Sequence, residues 1–278
     1  MNYFTSILSH EKPLKFLTAK ILIKTNLCRF FTIRQSHYSL KFFPTALSQN
    51  KWINQNYVHA ADDPFLQHYI KNGDKIIDVG ANIGTVTLLA STLIGNSGTV
   101  YSIEPHPKTF NYLQENLKFN DTDNVVTFNV AIGDKNSTIG FSDKKSDDQN
   151  QVSFSNTNLT VPLKKLDDLN IQEDTIDLLK IDSIGFEKFV LLGSKNILEK
   201  TRCIQLPISG SYPKFFQTYG YEYEEILQIL RKHNFEIFEY DNEKNLFHLD
   251  SNSIPTKGDL LAISDTKNFV ERTNYIII

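Results

Sequence analysis

Apolar and polar positions along this chain fall into two kinds of segment that alternate. Short β-branched runs without strict alternation, at Lys75–Val79, Thr99–Glu104, Asn124–Val130, Asp174–Asp182 and Arg202–Leu206, read as strands covered on both faces. Between them lie segments with helical spacing and helix punctuation: Thr85–Ile94, Lys108–Phe119 behind Pro105 and Pro107, Phe186–Gly193, and Glu222–Asn234. Repetition of strand and helix implies an α/β domain, with a mostly parallel sheet, right-handed crossovers and helices on both faces. Phe235–Tyr240 and Asp259–Ser264 complete seven strands, and their closeness to the last helix suits one antiparallel strand near an edge. Upstream, Tyr38–Phe43 predicts an antiparallel strand stopped by Pro44. Asp62-Asp63-Pro64 predicts the start of a helix over Phe65–Lys71 that Asn72-Gly73 ends. Thr138–Phe141 and Val152–Ser155 predict a hairpin around the polar run Ser142–Asn150.

The stretch Lys75–Thr85, KIIDVGANIGT, carries the first chemical signal. A buried strand runs into a turn bearing Gly80 and Gly84, and a helix start then aims free N–H groups at whatever fills the turn. Asp78 interrupts the apolar strand, so its carboxylate has hydrogen-bond partners or faces a ligand. In an open α/β sheet ligands sit outside the carboxyl ends of the strands. Three acids fall at such ends, Asp78, Glu104 and Asp182. Glu104 stands 26 residues after Asp78, where an acid takes both hydroxyls of a ribose; the alternative role is to cap the helix after Pro105. A dinucleotide site needs GxGxxG, and here Asn82 occupies the middle glycine position with no third glycine in place. A ligand with a ribose and no pyrophosphate fits better than NAD.

Charge divides the chain unevenly. Residues 1–51 hold eight Lys/Arg and one acid, which leaves a net −10 on the remainder, so the body has no nucleic-acid footprint. Residues 1–37 read as a basic, helical amino-terminal extension, dispensable for folding, and 38–278 as one α/β domain. Leu14–Ile33 is broken by Lys15, Lys20, Lys24 and Arg29 and does not span a bilayer. It fits either a helix packed on the domain or one resting on a membrane surface through residues 14–34. Cys28 and Cys203 share no spacing with histidines, which points away from disulfide or metal sites and toward a reducing, cytoplasmic setting. The first residues lack the pattern of a signal peptide.

Five ordered motifs then carry a resemblance. DVGANIG (78–84), EPHPKTFNYLQEN (104–116), NVAIGD (129–134), LDDL (166–169) and KIDSIGFE (180–187) resemble the FkbM family of S-adenosylmethionine-dependent methyltransferases, over roughly Tyr38–Ser264. The resemblance implies a Rossmann-like class I methyltransferase fold and S-adenosylmethionine as cofactor. It places Asp78, Gly80, Asn82 and Gly84 around the methionine part, Glu104 on the ribose, and Asn129 to Ala131 beside the adenine. The expected acceptor is a hydroxyl of a sugar, glycan or other small metabolite. Such a nucleophile needs a base or metal nearby, and Lys180, Asp182 and Glu187 are the local candidates, with no metal set apparent. Where relatives read KIDVEGAE, this chain has Ile184 for the glutamate and Phe186 for the small residue. Pro207 stands about where relatives offer an acid. A degenerate member that binds cofactor without efficient transfer is the alternative. His106 reads as a loop residue, and Trp52, Tyr57 and the aromatic run Tyr212–Tyr223 as packing or as a substrate wall.

Overall fold

The computed structural model describes residues 11–55, 57, 64–144, 149–155, 157–207, 212–250 and 258–278. Asp62 and Asp63, the middle of the polar run at 145–148, and Gly210 lie outside them, as do the side chains of Tyr212 and Phe215. Helix α1 (Pro13–Lys24) leads to the hairpin β1 (Thr32–Arg34) and β2 (Ser39–Lys41), then to α2 (Ala46–Ile53) and α3 (Pro64–Tyr69). The alternating part follows as β3 (Lys75–Val79), α4 (Thr85–Ile94), β4 (Thr99–Ile103), α5 (Pro107–Phe119) and β5 (Val125–Phe128). Four short strands form a separate sheet: β6 (Ala131–Ile132), β7 (Ser137–Phe141), β8 (Val152–Ser153) and β9 (Leu159–Lys164). Next come β10 (Ile176–Ile181), α6 (Glu187–Leu192), α7 (Lys195–Glu199), β11 (Thr201–Pro207), α8 (Tyr212–Thr218) and α9 (Tyr223–Lys232). The chain closes with β12 (Glu236–Tyr240), β13 (Asn245–His248), β14 (Asp259–Ile263), α10 (Thr266–Thr273) and β15 (Ile276–Ile277).

The main sheet has the order β15-β13-β12-β14-β11-β10-β3-β4-β5. Its inner seven strands, β5 through β12, are parallel except for β14, which runs antiparallel between β11 and β12. That is the class I methyltransferase arrangement. The sequence reading stops at those seven, whereas β13 and β15 extend the sheet by two short strands beyond β12. Side-chain alternation sorts the sheet into two cores. Ile76, Val100, Leu178, Cys203 and Leu261 face one side with α3, α4 and α10. Ile77, Tyr101, Leu179, Ile204 and Leu260 face the other with α6, α9 and the small sheet. The predicted hairpin is present, with Gly140 opposite Ser153 and Phe141 opposite Val152.

The amino-terminal segment is built into the first of these cores. Ala19, Cys28 and Ile33 are buried there, and Phe16, Leu22 and Ile23 of α1 pack against it. Two asparagines of α5 hold β2: Asn116 Oδ1 accepts from Lys41 N at 2.9 Å, and Asn120 Oδ1 accepts from Ser39 N at 2.8 Å. A division after residue 37 therefore cuts between the strands of one hairpin, and the segment is no detachable extension. Among the described residues no helix is long and apolar enough to cross a membrane.

Candidate active site

The register of the central strands lays a polar row across one face of the sheet. Ser102 on β4 pairs with Asp78 on β3, Asp78 with Lys180 on β10, and Lys180 with Gln205 on β11, so all four side chains point the same way. Asp78 is 2% exposed; its Oδ2 accepts from Thr87 Oγ1 of α4 at 2.6 Å, and that hydroxyl also meets Ser102 Oγ at 2.8 Å. Burial pushes the Asp78 carboxyl up to about 6, against the pull of Thr87 and the Lys180 ammonium. Lys180 Nζ lies 3.1 Å from Asp259 Oδ2 on β14. Burial disfavours its ammonium, but the carboxylates of Asp259, Asp182 and Asp78 outweigh that cost and keep the lysine charged.

Beyond Val79 the backbone must turn sharply. Gly80 has φ +88°, and a Cβ there would stand 2.0 Å from the Asp182 carbonyl oxygen, so only glycine lets β3 and β10 end side by side. Gly84, φ +92°, is the left-handed N-cap of α4 and sits under Leu113. Asn82 adopts φ 51° and donates its backbone N–H to Glu104 Oε2 at 2.9 Å, while His106 N donates to Glu104 Oε1 at 2.8 Å. Glu104 thus ties the glycine turn to the start of α5 and still lines the cavity. Asn116 secures the turn from behind, donating to Ile83 O at 2.8 Å. The side chain of Asn129 is not in the cavity wall: its amide donates to the carbonyls of Glu104 and Pro105, whereas Val130, Ala131 and Ile132 form the wall.

The turn opens on a cavity of about 180 Å³. Asp78, Gly80, Asn82, Glu104 and Ala131 line one part, Lys180, Asp182, Ile184 and Phe186 another, and Phe141 and Val152 of the small sheet close it. Asp182 N donates to Val79 O at 2.9 Å, which fixes the acid beside the turn. Ile184 has φ 50°, a backbone conformation that costs a β-branched residue about 1–3 kcal/mol. Glu187 supports this loop from behind and does not line the cavity. It is fully buried, and its Oε1 accepts from Ser183 N at 2.9 Å, Ser183 Oγ at 3.1 Å and Gly185 N at 3.2 Å. Its Oε2 has no hydrogen-bond partner among the described residues, and burial pushes the carboxyl up to about 7.

Two tyrosines from the aromatic run brace opposite walls. Tyr219 OH donates to Val152 O and Tyr221 OH to Gly185 O, both at 2.6 Å, and Tyr219 meets the Phe186 ring edge-on at 5.2 Å. His106 is the N-cap of α5, and Trp52 stacks on Phe42 at 5.3 Å, away from the cavity. Pro207 ends β11 directly opposite Asp259. Sequence reasoning missed Thr87, Ser102 and Asp259, gave Asn116 no role beyond its place in the second motif, and read Tyr219 and Tyr221 only as part of an aromatic run. Only Asn116, a polar residue on the buried face of an amphipathic helix, left a local signal. Among the described residues no group of three metal-ligating side chains is assembled.

Residues 78–237 match the family described as the methyltransferase FkbM domain. The chain belongs to the FkbM methyltransferase family. Among curated relatives, 58 residues are 45% identical to the probable cobalt-precorrin-6B C(15)-methyltransferase (decarboxylating) of Saccharolobus solfataricus, covering 20% of this chain and 29% of that protein. A further match, 28% identical over 101 residues, is to the protein-L-isoaspartate O-methyltransferase of Caenorhabditis elegans, covering 36% of this chain and 45% of that one. The matched segments thus span less than half the length of either relative. Solved structures with a similar outline include methyltransferase FkbM of Methylobacillus flagellatus, 13% identical with a TM-score of 0.44, covering 90% of this chain and 60% of that one. Another is an S-adenosylmethionine-dependent O-methyltransferase of Thermotoga maritima, 15% identical with a TM-score of 0.42, covering 74% and 65% of the two chains. In this family member residues of the motifs at 78–84, 104–116, 129–134 and 180–187 line one cavity.

Proposed function

We propose that the protein transfers a methyl group from S-adenosylmethionine to a hydroxyl of a sugar or other small metabolite. The observation that carries this reading is that one cavity joins the glycine turn and Glu104 to Asp182. The residues present suit the cofactor. Glu104 offers a carboxylate for ribose hydroxyls, Asp78 and the backbone carbonyls of the Gly80–Asn82 turn offer acceptors for the methionine ammonium, and Val130, Ala131 and Ile132 give the adenine an apolar wall.

When bound, S-adenosylmethionine would supply a methyl group carried on a positively charged sulfur, which would keep the electron pair of the carbon–sulfur bond as the acceptor oxygen takes the carbon. The acceptor hydroxyl must give up its proton, and Asp182 is the carboxylate in the wall assigned to take it. Lys180 has a positioning role: held by Asp259, it keeps positive charge beside Asp78 and favours that carboxylate's ionised form. Glu187 sets the shape of the 183–186 loop. Most of the remaining rate enhancement comes from holding donor and acceptor in line.

The apolar surface of Ile184 and Phe186 beside Asp182 favours a second reading, a protein that binds cofactor and transfers slowly. Thermal shift and single-turnover transfer of a labelled methyl group separate the two. Stabilisation by S-adenosylmethionine and its demethylated product, with labelled product that Asp182→Asn abolishes, is the expected result. Stabilisation without product across an acceptor panel supports the second reading. Stronger stabilisation by NAD overturns both.

A further inference from the structure

We infer that the amino-terminal helix docks the protein on an anionic lipid surface. Helix α1 is apolar on two opposite faces. Phe16, Ala19 and Ile23 lie against the core, and Leu14, Leu17 and Ile21 face solvent. Their spacing of three and four residues puts the outer three in a single stripe. Leu14 is 81% exposed and Ile21 53%, and soon after the helix Phe30 is 77% exposed. The core needs only the inner face, so the outer stripe has another use or is a liability in water.

The polar groups around the stripe fit an interface. Thr18 Oγ1 donates to Leu14 O and Thr25 Oγ1 to Ile21 O, both at 2.8 Å, so the hydroxyls on the outer face satisfy themselves on helix carbonyls. At 100° per residue Lys24 borders the stripe next to Leu17, where its long side chain can extend to headgroups, while Lys15 and Lys20 lie further round toward the core-facing side, Lys20 with its ammonium 5.2 Å from the Phe16 ring centroid. Lys12 to Arg34 contains six cations and no acid, while the chain beyond residue 51 is net negative. That polarity selects an anionic surface and turns the acidic body away from it. A symmetric contact between two copies would set the same cations against one another. The helix is too short to cross, its exposed stripe is bordered by Lys24, and the segment around it carries only cations, which suits resting this face in an anionic headgroup plane.

The test uses the full chain in co-sedimentation with vesicles of phosphatidylcholine alone or mixed with phosphatidylglycerol. Binding to the mixed vesicles at low salt, reduced about tenfold or more at 0.5 M salt and absent with phosphatidylcholine alone, is expected. The triple variant Leu14→Ser, Leu17→Ser, Ile21→Ser should lose at least about tenfold in vesicle affinity while keeping its melting temperature, because all three side chains are exposed. Lys15→Glu with Lys24→Glu should weaken binding to the anionic vesicles to a similar degree. No pelleting with anionic vesicles overturns the proposal. So do equal binding to neutral vesicles, a triple variant that binds like the parent, and a concentration-dependent dimer that the triple variant dissolves.

Discussion

Lys180 on β10 reaches past β11 to Asp259 on β14, and the pair closes at 3.1 Å where the cavity meets the reversed strand. Lys180 is 2% exposed at its side chain and Asp259 23%, so the ion pair is largely out of water. Asp259→Asn leaves a buried ammonium with only Asp78 and Asp182 beside it, and a loss of about 3 kcal/mol is expected. The double variant Lys180→Met, Asp259→Leu removes both charges and should recover most of that loss. Urea unfolding of the three proteins decides; a neutral Asp259→Asn would show that the other two carboxylates hold the lysine alone.

Glu187 makes stability depend on pH. Its folded pKa is raised from 4.5 to about 7, so the native state holds a proton that the unfolded chain releases, and stability falls as pH rises through that window. At about 1.4 kcal/mol per unit the full effect is about 3 kcal/mol, complete above roughly pH 8. Glu187→Gln mimics the protonated acid and should flatten the melting-temperature profile between about pH 6.5 and 8, leaving below that the slope that Asp78 contributes in the same direction. A variant with the parent's slope would place the titration elsewhere.

Cofactor affinity should rise with pH near 6. Asp78 titrates at about 6 in the free protein, and a bound cation favours its ionised form, so binding releases protons there. Calorimetry in buffers of different ionisation enthalpy reads the release, and Asp78→Asn should abolish it. Glu104→Ala should weaken binding of S-adenosylmethionine by about 1–3 kcal/mol, and more if the glycine turn loosens, because Asn82 N and His106 N lose their acceptor. Unchanged affinity would reduce Glu104 to a helix cap.

Deleting residues 1–34 should destabilise the protein. The cut removes Ala19, Cys28 and Ile33 from the core and strips β2 of its partner strand. Burial of Ile33 alone contributes about 2 kcal/mol, so a fall in melting temperature of at least about 5 °C is expected. A truncated chain with the parent's melting temperature would restore the view of this segment as an appendage.

Local rules carried much of this protein's reading. The buried run Lys75–Val79, the glycines at 80 and 84 and the prolines before α5 are legible because strand burial, left-handed turns and helix starts depend on neighbouring residues alone. The position of Glu104 at a strand end followed from the same rules, and the ordered motifs pointed to the family. Strand β9 escaped because Pro162 sits in its middle, and a proline disguises a strand from pattern reading. Tertiary structure alone decided the rest. Sheet register set Lys180 beside Asp78, and the insertion of β14 brought Asp259 within reach of that lysine across 79 residues of chain. Loop return turned Glu187 toward backbone N–H groups at 183 and 185 and away from the cavity, and Asn129 onto two carbonyls. The two faces of α1 were both apolar in the sequence; only packing chose which one the core would cover and which would stay exposed, because a helix cannot bury opposite sides against a single surface.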